Sequence, residues 1–259
     1  MLDGLRFALT TLTVFPVRGP AALDRRTAAW AMSAAPAVGL LLAVPACLVL
    51  YLARRVEVPA VLPCVLAIGA LALLTRGLHL DGVADLADGL GSSRDEVGTR
   101  AVMKSPEVGA FGVVSLIFVV LLQVSALLGC IHQGRATAAL LLSVAVGRLA
   151  ITAACRSTPA ATTEGMGAVV AQTVPRGVTT GWLLLLTGAF AAFATVDPDA
   201  HGSSTTAVVR TVVAVSAALI VARLLRRHAV RRVGGLSGDV LGAVSEVATT
   251  VCLVVLSAS

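Results

Sequence analysis

The sequence predicts an all-α, polytopic integral membrane protein: a helical bundle of about seven transmembrane helices, six to eight in all, with a cytoplasmic N-terminus. Three observations support this fold class. The 259 residues are 57% hydrophobic and 13% charged, with a mean hydropathy of +0.93, whereas soluble domains carry about 25% charged residues. Nearly charge-free runs recur, each close to the ~20 residues that cross a ~30 Å hydrocarbon core. The basic residues cluster on one side of these runs.

Seven apolar segments are the candidate spans, and they form a single membrane domain covering residues 1–259. Before the first, "LRFALTTLTVF" predicts a helix that lies at the membrane interface or packs against the bundle. The second segment is short and the fourth contains an arginine, so six or eight spans stay open. Five scattered cysteines without CxxC spacing are typical of small core residues. The segments are 29–53, 59–76, 109–131, 136–155, 178–196, 205–225 and 239–257.

The distribution of basic residues predicts the orientation. With the N-terminus inside, fifteen of the 20 basic residues fall in cytoplasmic segments and three fall outside, while Arg148 and Arg210 lie within spans. The fifth-to-sixth connection, "DPDAHGSS", has no basic residue, as expected of an outer loop. The bias therefore predicts a multi-pass protein of the cell (inner or plasma) membrane whose active site faces the cytoplasm.

An acidic cluster follows the second predicted span, in "GLHLDGVADLADGLG". Asp81, Asp85 and Asp88 are spaced i, i+4, i+7, which on a helix places them within about 60° of one another. Like charges on one face repel, but two or three carboxylates together with substrate phosphate oxygens make the all-oxygen site that Mg²⁺ prefers. The alternative interpretation is a solvated helix end outside the bilayer.

The only lysine of the chain, Lys104, follows this cluster in "RAVMKSPEVGAFG". A compact ammonium group suits a point-charge contact with a phosphate. The alternative is a loop lysine that extends to the membrane surface ahead of the third span.

A second charged region lies near the C-terminus, in "RLLRRHAVRRVGGLSGDVLGAVSE". Its five arginines either determine topology or contact phosphates, and Ser237 and Asp239 follow them. Asp239 and Glu246 are seven residues apart and share a helix face, and Glu246 lies about two turns inside an apolar span, where an ionisable group is costly. Arg148, in the middle of the fourth span, is expected to face a polar cavity for the same reason.

These regions are all predicted to face the cytoplasm, and they combine acids for a metal with cations for phosphates. We therefore expect Mg²⁺-dependent chemistry on a phosphate or pyrophosphate substrate at the membrane surface.

The same motifs resemble those of the cobalamin synthase family, the adenosylcobinamide-GDP ribazoletransferases. "GLHLDGVADLADGLG" with "RAVMKSPEVGAFG" resembles the family signature. "LRFALTTLTVFPV", "VGRLAITAACRSTPAATTEGMG" and "GGLSGDVLGAVSE" are similar to its opening, middle and C-terminal segments. The resemblance implies an enzyme that joins adenosylcobinamide-GDP to α-ribazole or its 5′-phosphate, releases GMP and uses Mg²⁺, in the nucleotide-loop assembly of vitamin B12.

The resemblance also implies roles for residues. Asp81, Asp85 and Asp88 match the acidic motif and are the expected metal and pyrophosphate ligands. Lys104 and Asp239 match two further motif positions, and either Asp88 or Asp239 is the expected proton acceptor. The chain departs from the family at Ser237, where threonine is usual, and at "KSPE", where an acid usually follows the lysine. Further substrate contacts are expected from His79, Arg148, Arg156, Glu164, Arg227, Arg231, Arg232, Ser237 and Glu246.

Other functions are weighed against this one. A membrane CDP-alcohol phosphotransferase needs an arginine where Asp88 follows Ala87, and an intramembrane prenyltransferase needs a second aspartate-rich motif. A transporter predicts internal repeats, which the sequence lacks. The expected partners are the two substrates and the lipid bilayer, with no nucleic acid. A homo-oligomer or a complex with other cobalamin-assembly enzymes stays open.

Overall fold

The computed structural model describes residues 1–196 and 204–258, and the chain is 78% helical. Within those ranges no strand forms, so the all-α prediction is confirmed. The predicted outer connection at residues 197–203 lies outside the described residues. The helices are α1 (Leu2–Leu12), α2 (Arg25–Ser33), α3 (Ala35–Ala53), α4 (Val61–Leu74), α5 (Leu78–Gly91), α6 (Glu96–Met103), α7 (Ala110–His132), α8 (Ala136–Ser157), α9 (Gly165–Val170), α10 (Arg176–Val196), α11 (Ser204–Val233) and α12 (Gly238–Ser257).

Six of the described helices are long and apolar enough to cross a membrane, namely α3, α7, α8, α10, α11 and α12. A seventh span exists only if α4 and α5 count as one, and these two helices are bent by 88° at their junction. The chain is thus a multi-pass membrane protein, with six or seven spans inside the expected range. The cytoplasmic N-terminus and the type of membrane stay predictions.

Two predicted spans differ from the observed helices. The segment 29–53 divides into α2 and α3 at Ala34, because Pro36 in the first turn of α3 lacks the N–H that would continue the helix. The segment 59–76 contains α4, whose 14 residues reach about 21 Å and fall short of a ~30 Å core. The acidic cluster that follows this segment lies on a separate helix, α5.

Helix α8 forms the centre of the bundle, since 83% of its span is buried, and it packs between α3 and α12. The outer faces of α7 and α10 carry exposed apolar side chains such as Phe118 and Leu184, as expected of surfaces in contact with lipid. All five cysteines are buried and unpaired, which confirms their assignment to the core.

The N-terminal segment is a packed helix, as one of the two alternatives predicted. Phe7 and Leu12 of α1 are buried. The end of α1 is tied to the junction of α4 and α5, because Val14 N–H donates to the carbonyl of Leu74 (2.8 Å) and Arg76 donates to the carbonyl of Thr10 (3.1 Å). These bonds hold the turn from which α5 begins.

Candidate active site

Two glycines bring α5 against the first turns of α12. A Cβ atom on Gly82 would lie 2.7 Å from the carbonyl oxygen of Asp239, and one on Gly242 would lie 3.1 Å from the Cα of His79. Because glycine has no Cβ, the two backbones can approach this closely. Gly77, with φ +68°, forms the sharp turn that directs α5 toward α12. The acids of α5 therefore lie beside the aspartate that begins α12.

Three carboxylates of α5 and α12 form an acidic group. Asp81 is exposed, while Asp85 and Asp239 are half-buried. Asp85 lies within electrostatic range of both other carboxylates. Within the described part of the chain, the carboxylates of Asp81 and Asp85 accept no hydrogen bond, and neither forms an ion pair within 4.0 Å. Mutual repulsion without a compensating cation costs free energy, so this group suits a positively charged ligand.

Lys104 is the cation that lies near this group. It ends α6, its side chain is exposed, and it lies within electrostatic range of Asp239. The packing of α6 on α5 explains its position, because Gly89 of α5 lies directly against Met103 of α6. The structure thus brings Lys104 to the acidic end of α5 and α12, where its ammonium group can also meet a phosphate.

Asp88 has a different environment from the other acids of α5. Asp88 is only 9% exposed to solvent. Its two carboxylate oxygens accept hydrogen bonds from the backbone N–H groups of Gly109 (2.7 Å) and Gly112 (2.9 Å). These N–H groups open α7, which has no side-chain cap of its own, so Asp88 caps that helix from a neighbouring one. Both oxygens are engaged, and the predicted metal and catalytic roles of Asp88 stay untested.

The residues present fit Mg²⁺ only in part. Among the described residues, no three His, Cys, Asp or Glu side chains are arranged so that they could hold a metal ion. Mg²⁺ is usually held by one or two carboxylates, with waters and substrate phosphates completing its octahedron. Asp81 and Asp85, on one face of α5 and without hydrogen-bond partners, match that requirement.

The middle and C-terminal motifs meet at the beginning of α12. Leu236 N–H donates to the carbonyl of Pro159 (2.8 Å), and the Leu236 carbonyl accepts from Ala161 N–H (3.0 Å). Ser237 caps α12, since its Oγ accepts from Val240 N–H (3.2 Å), and it also donates to Asp239 (3.3 Å). Glu164 is exposed and begins α9, which packs on this segment.

Arg148 and Glu246 belong to a buried polar network. Arg148 donates to the Oγ of Ser245 (2.7 Å) and lies 3.9 Å from the Glu246 carboxylate, which accepts from Gln123 (2.9 Å). His79 lies 3.4 Å from Arg148. The expected polar cavity at Arg148 exists, but its volume of about 20 Å³ holds one water and no substrate. The predicted substrate contacts of His79, Arg148 and Glu246 therefore find no support in this geometry.

The arginines predicted to contact substrate separate into two groups. Arg232 donates to the carbonyl of Arg94 (3.0 Å), which joins α11 to the segment before α6. Arg156, Arg227 and Arg231 line one open basic cavity together with Arg223 and Arg226, which are two more of the five C-terminal arginines. Gln123 was missed, although a lone amide inside an apolar span could have indicated a buried partner.

Comparisons with known proteins show the family of the chain. The family model described as cobalamin-5-phosphate synthase matches residues 4–257. A relative from Frankia casuarinae, named adenosylcobinamide-GDP ribazoletransferase, is 42% identical over 99% of this chain and 95% of its own length. A relative of the same name from Nocardioides sp. is 38% identical over the full length of both chains. No solved structure matches. Because the family model covers nearly the whole sequence, this chain belongs to the cobalamin-5-phosphate synthase family.

Proposed function

We propose that this chain transfers the phospho-cobinamide moiety of adenosylcobinamide-GDP to α-ribazole or its 5′-phosphate, in a Mg²⁺-dependent reaction at the cytoplasmic face of the cell membrane. The observation that carries this proposal is the group of unpaired carboxylates on α5 and α12, with Lys104 beside it, in a chain of this family. Such a group suits a metal-bound pyrophosphate. The names of the relatives supply the substrate class.

Asp81 and Asp85 hold the metal in this proposal. When bound, Mg²⁺ neutralises oxygens of the pyrophosphate and so favours departure of GMP. Lys104 contacts a remaining phosphate oxygen. A ribose hydroxyl of the acceptor attacks the phosphorus bonded to cobinamide, a new P–O bond forms, and the bond from that phosphorus to the GMP oxygen breaks. Because the 5′ position of α-ribazole 5′-phosphate already carries a phosphate, the attacking group is one of the other ribose hydroxyls. The hydroxyl proton passes to a carboxylate of the chain.

Asp239 is the better candidate for this proton acceptor. The two oxygens of Asp88 are engaged by the backbone of α7, whereas the Asp239 carboxylate accepts a hydrogen bond from Ser237 alone among the described residues. A carboxylate with a free oxygen can receive a proton without breaking a helix cap. Lys104 and Asp81 are its charged neighbours, so it belongs to the same group as the metal ligands.

The remaining substrate contacts are assigned to the beginning of α12 and to the open basic cavity. Ser237 and Glu164 lie on the segments that meet at the beginning of α12. Arg227 and Arg231 line the open basic cavity and are available for substrate phosphates, whereas Arg156 also lines the neighbouring inner compartment. The proposal includes no nucleic-acid partner and leaves open whether the chain works as a homo-oligomer or with other cobalamin-assembly enzymes.

The test is a transfer assay with the purified protein in phospholipid vesicles. Adenosylcobinamide-GDP, Mg²⁺ and either α-ribazole or its 5′-phosphate are supplied, and GMP and the corrinoid product are quantified by chromatography. The expected result is one GMP for each product molecule and little GMP without the acceptor. GMP release that does not depend on the acceptor, or no release with either acceptor, would overturn the proposal. Transfer from a CDP-alcohol to a lipid instead would favour the alternative enzyme class.

A further inference from the structure

A basic cavity lies where α8 ends, α10 begins and α11 passes beside them. It has two compartments, an inner one of about 260 Å³ and an open outer one of about 730 Å³. The two compartments share Arg156, Ser157, Arg223 and Arg226. The three arginines therefore lie where the two compartments meet.

The charge in this cavity is not balanced by the protein. Arg226 has Arg156, Arg223 and Arg227 as its charged neighbours. In the described ranges, none of the four forms an ion pair with a carboxylate. One of them is fixed in place, since Arg226 donates to the carbonyl of Ala153 (3.0 Å). Four mutually repelling guanidinium groups around one cavity favour an anion, and guanidinium matches the geometry of phosphate.

The inner compartment has an apolar wall on the membrane side of the arginines. The Oγ1 of Thr179 there is buried without a hydrogen-bond partner among the described residues. A small aqueous anion would leave this wall in contact with water, whereas a phosphate attached to an apolar chain would cover it. The wall is formed by Ala150, Ala154, Leu183, Leu219, Ala222 and Val244.

The depth of the cavity matches the phosphate layer of a membrane. Helix α11 has 30 residues, about 45 Å at ~1.5 Å per residue, so it extends well beyond a ~30 Å hydrocarbon core. Arg223 follows Ser204 by nineteen residues, which is about 28 Å along the helix. With α11 spanning the membrane, Arg223 and Arg226 lie where the hydrocarbon core gives way to headgroups.

We infer that this cavity binds an anionic phospholipid, whose phosphate is held by Arg156, Arg223 and Arg226 and whose glycerol and first acyl carbons cover the inner wall. The site is separate from the acids of α5 and α12, and the inference does not depend on the proposed reaction. Basic pockets between membrane helices are suited to such headgroups. The open compartment, with Arg227 and Arg231, stays accessible from the aqueous side.

The test measures lipid binding in the absence of any substrate. The protein is purified in detergent and titrated with phosphatidylglycerol or phosphatidylcholine, and the bound lipid is counted by native mass spectrometry. Wild type is expected to prefer phosphatidylglycerol. Arg223→Gln with Arg226→Gln is expected to weaken that binding about tenfold or more. Arg223→Gln alone keeps the fold secure, because this side chain is exposed and makes no hydrogen bond within the described residues, and it is expected to lose part of the affinity.

The matched control is Arg54→Gln, an exposed arginine at the end of α3 and on the predicted opposite side of the membrane. It removes the same charge and is expected to change phosphatidylglycerol binding less than twofold. Equal binding by wild type and the double variant would overturn the inference. Equal affinity for the two lipids would also overturn it, as would complete displacement of phosphatidylglycerol by inorganic phosphate or GMP.

Discussion

Replacing Asp88 by alanine is expected to weaken the fold, because this side chain caps α7. Its oxygens accept from the N–H groups of Gly109 at 2.7 Å and Gly112 at 2.9 Å. A hydrogen bond to a charged group contributes about 1.5–3 kcal/mol. Two such bonds would contribute about 3–6 kcal/mol. We expect a loss of about 3 kcal/mol in the free energy of unfolding, because Gly109 is half-buried and water can replace one acceptor.

The assay is thermal unfolding of the purified protein in detergent, followed by circular dichroism. At about 2–4 °C per kcal/mol, the midpoint of Asp88→Ala is expected to fall by about 6–12 °C. Asp88→Asn keeps one acceptor oxygen and should fall by less. Asp81→Ala is the control, since Asp81 lies on the same helix but is exposed and accepts no hydrogen bond in the described ranges, and its midpoint should stay within about 2 °C of wild type.

The opposite pattern would refute this reasoning. If Asp88→Ala unfolds at the wild-type temperature but forms no GMP, the carboxylate acts in the reaction and the cap is dispensable. Asp88 would then return to the metal or proton-acceptor role that its spacing first suggested.

Three further predictions test other parts of the structure. Asp239→Asn should lower kcat for GMP formation by about 10²–10⁴ with little change in KM, as expected for loss of a proton acceptor; unchanged kcat in steady-state assays would exclude that role. Gly82→Ala should lower the free energy of unfolding by about 1–3 kcal/mol, because its Cβ would meet the carbonyl of Asp239. Gly69→Ala is the control, because a Cβ there meets nothing within 4 Å, and it should raise the free energy of unfolding by up to ~1 kcal/mol. Equal effects of the two substitutions in thermal unfolding would contradict the close approach of α5 to α12 at Gly82. Arg148→Met leaves Glu246 without its charged partner and should cost about 3 kcal/mol, and the further change Glu246→Gln should recover at least half. Strictly additive effects in this double-mutant cycle would argue against the pair.

Much of the fold followed from composition and periodicity. Long apolar runs can satisfy their backbone polar groups only as helices in a membrane, and so most of the spans could be placed from the sequence. The junction of α4 and α5 could not, because the positive φ angles of Arg76 and Gly77 and the packing of α5 on α12 are tertiary features. In the sequence alone, the apolar run of α4 followed by the acidic helix α5 cannot be told from a membrane span followed by a loop.

The candidate site was predicted only in part for a similar reason. Spacing placed Asp81, Asp85 and Asp88 on one face of a helix, which they share, but it could not show that Asp88 meets the N–H groups of α7. One feature pointed to this contact. Gly109 and Gly112 lie at the start of α7, which has no capping side chain of its own. Its first N–H groups therefore needed a hydrogen-bond acceptor from elsewhere in the chain.

The most direct test of the account is the Mg²⁺ dependence of GMP formation by wild type, Asp81→Asn and Asp85→Asn in vesicles. Each substitution removes one negative charge from a side chain without a hydrogen bond in the described ranges, so the fold should stay intact by circular dichroism. Wild type is expected to form GMP only with Mg²⁺, and the rate of GMP formation by both variants is expected to fall at least about 10²-fold at any Mg²⁺ concentration. Wild-type turnover in either variant, or undiminished wild-type turnover in EDTA, would contradict it.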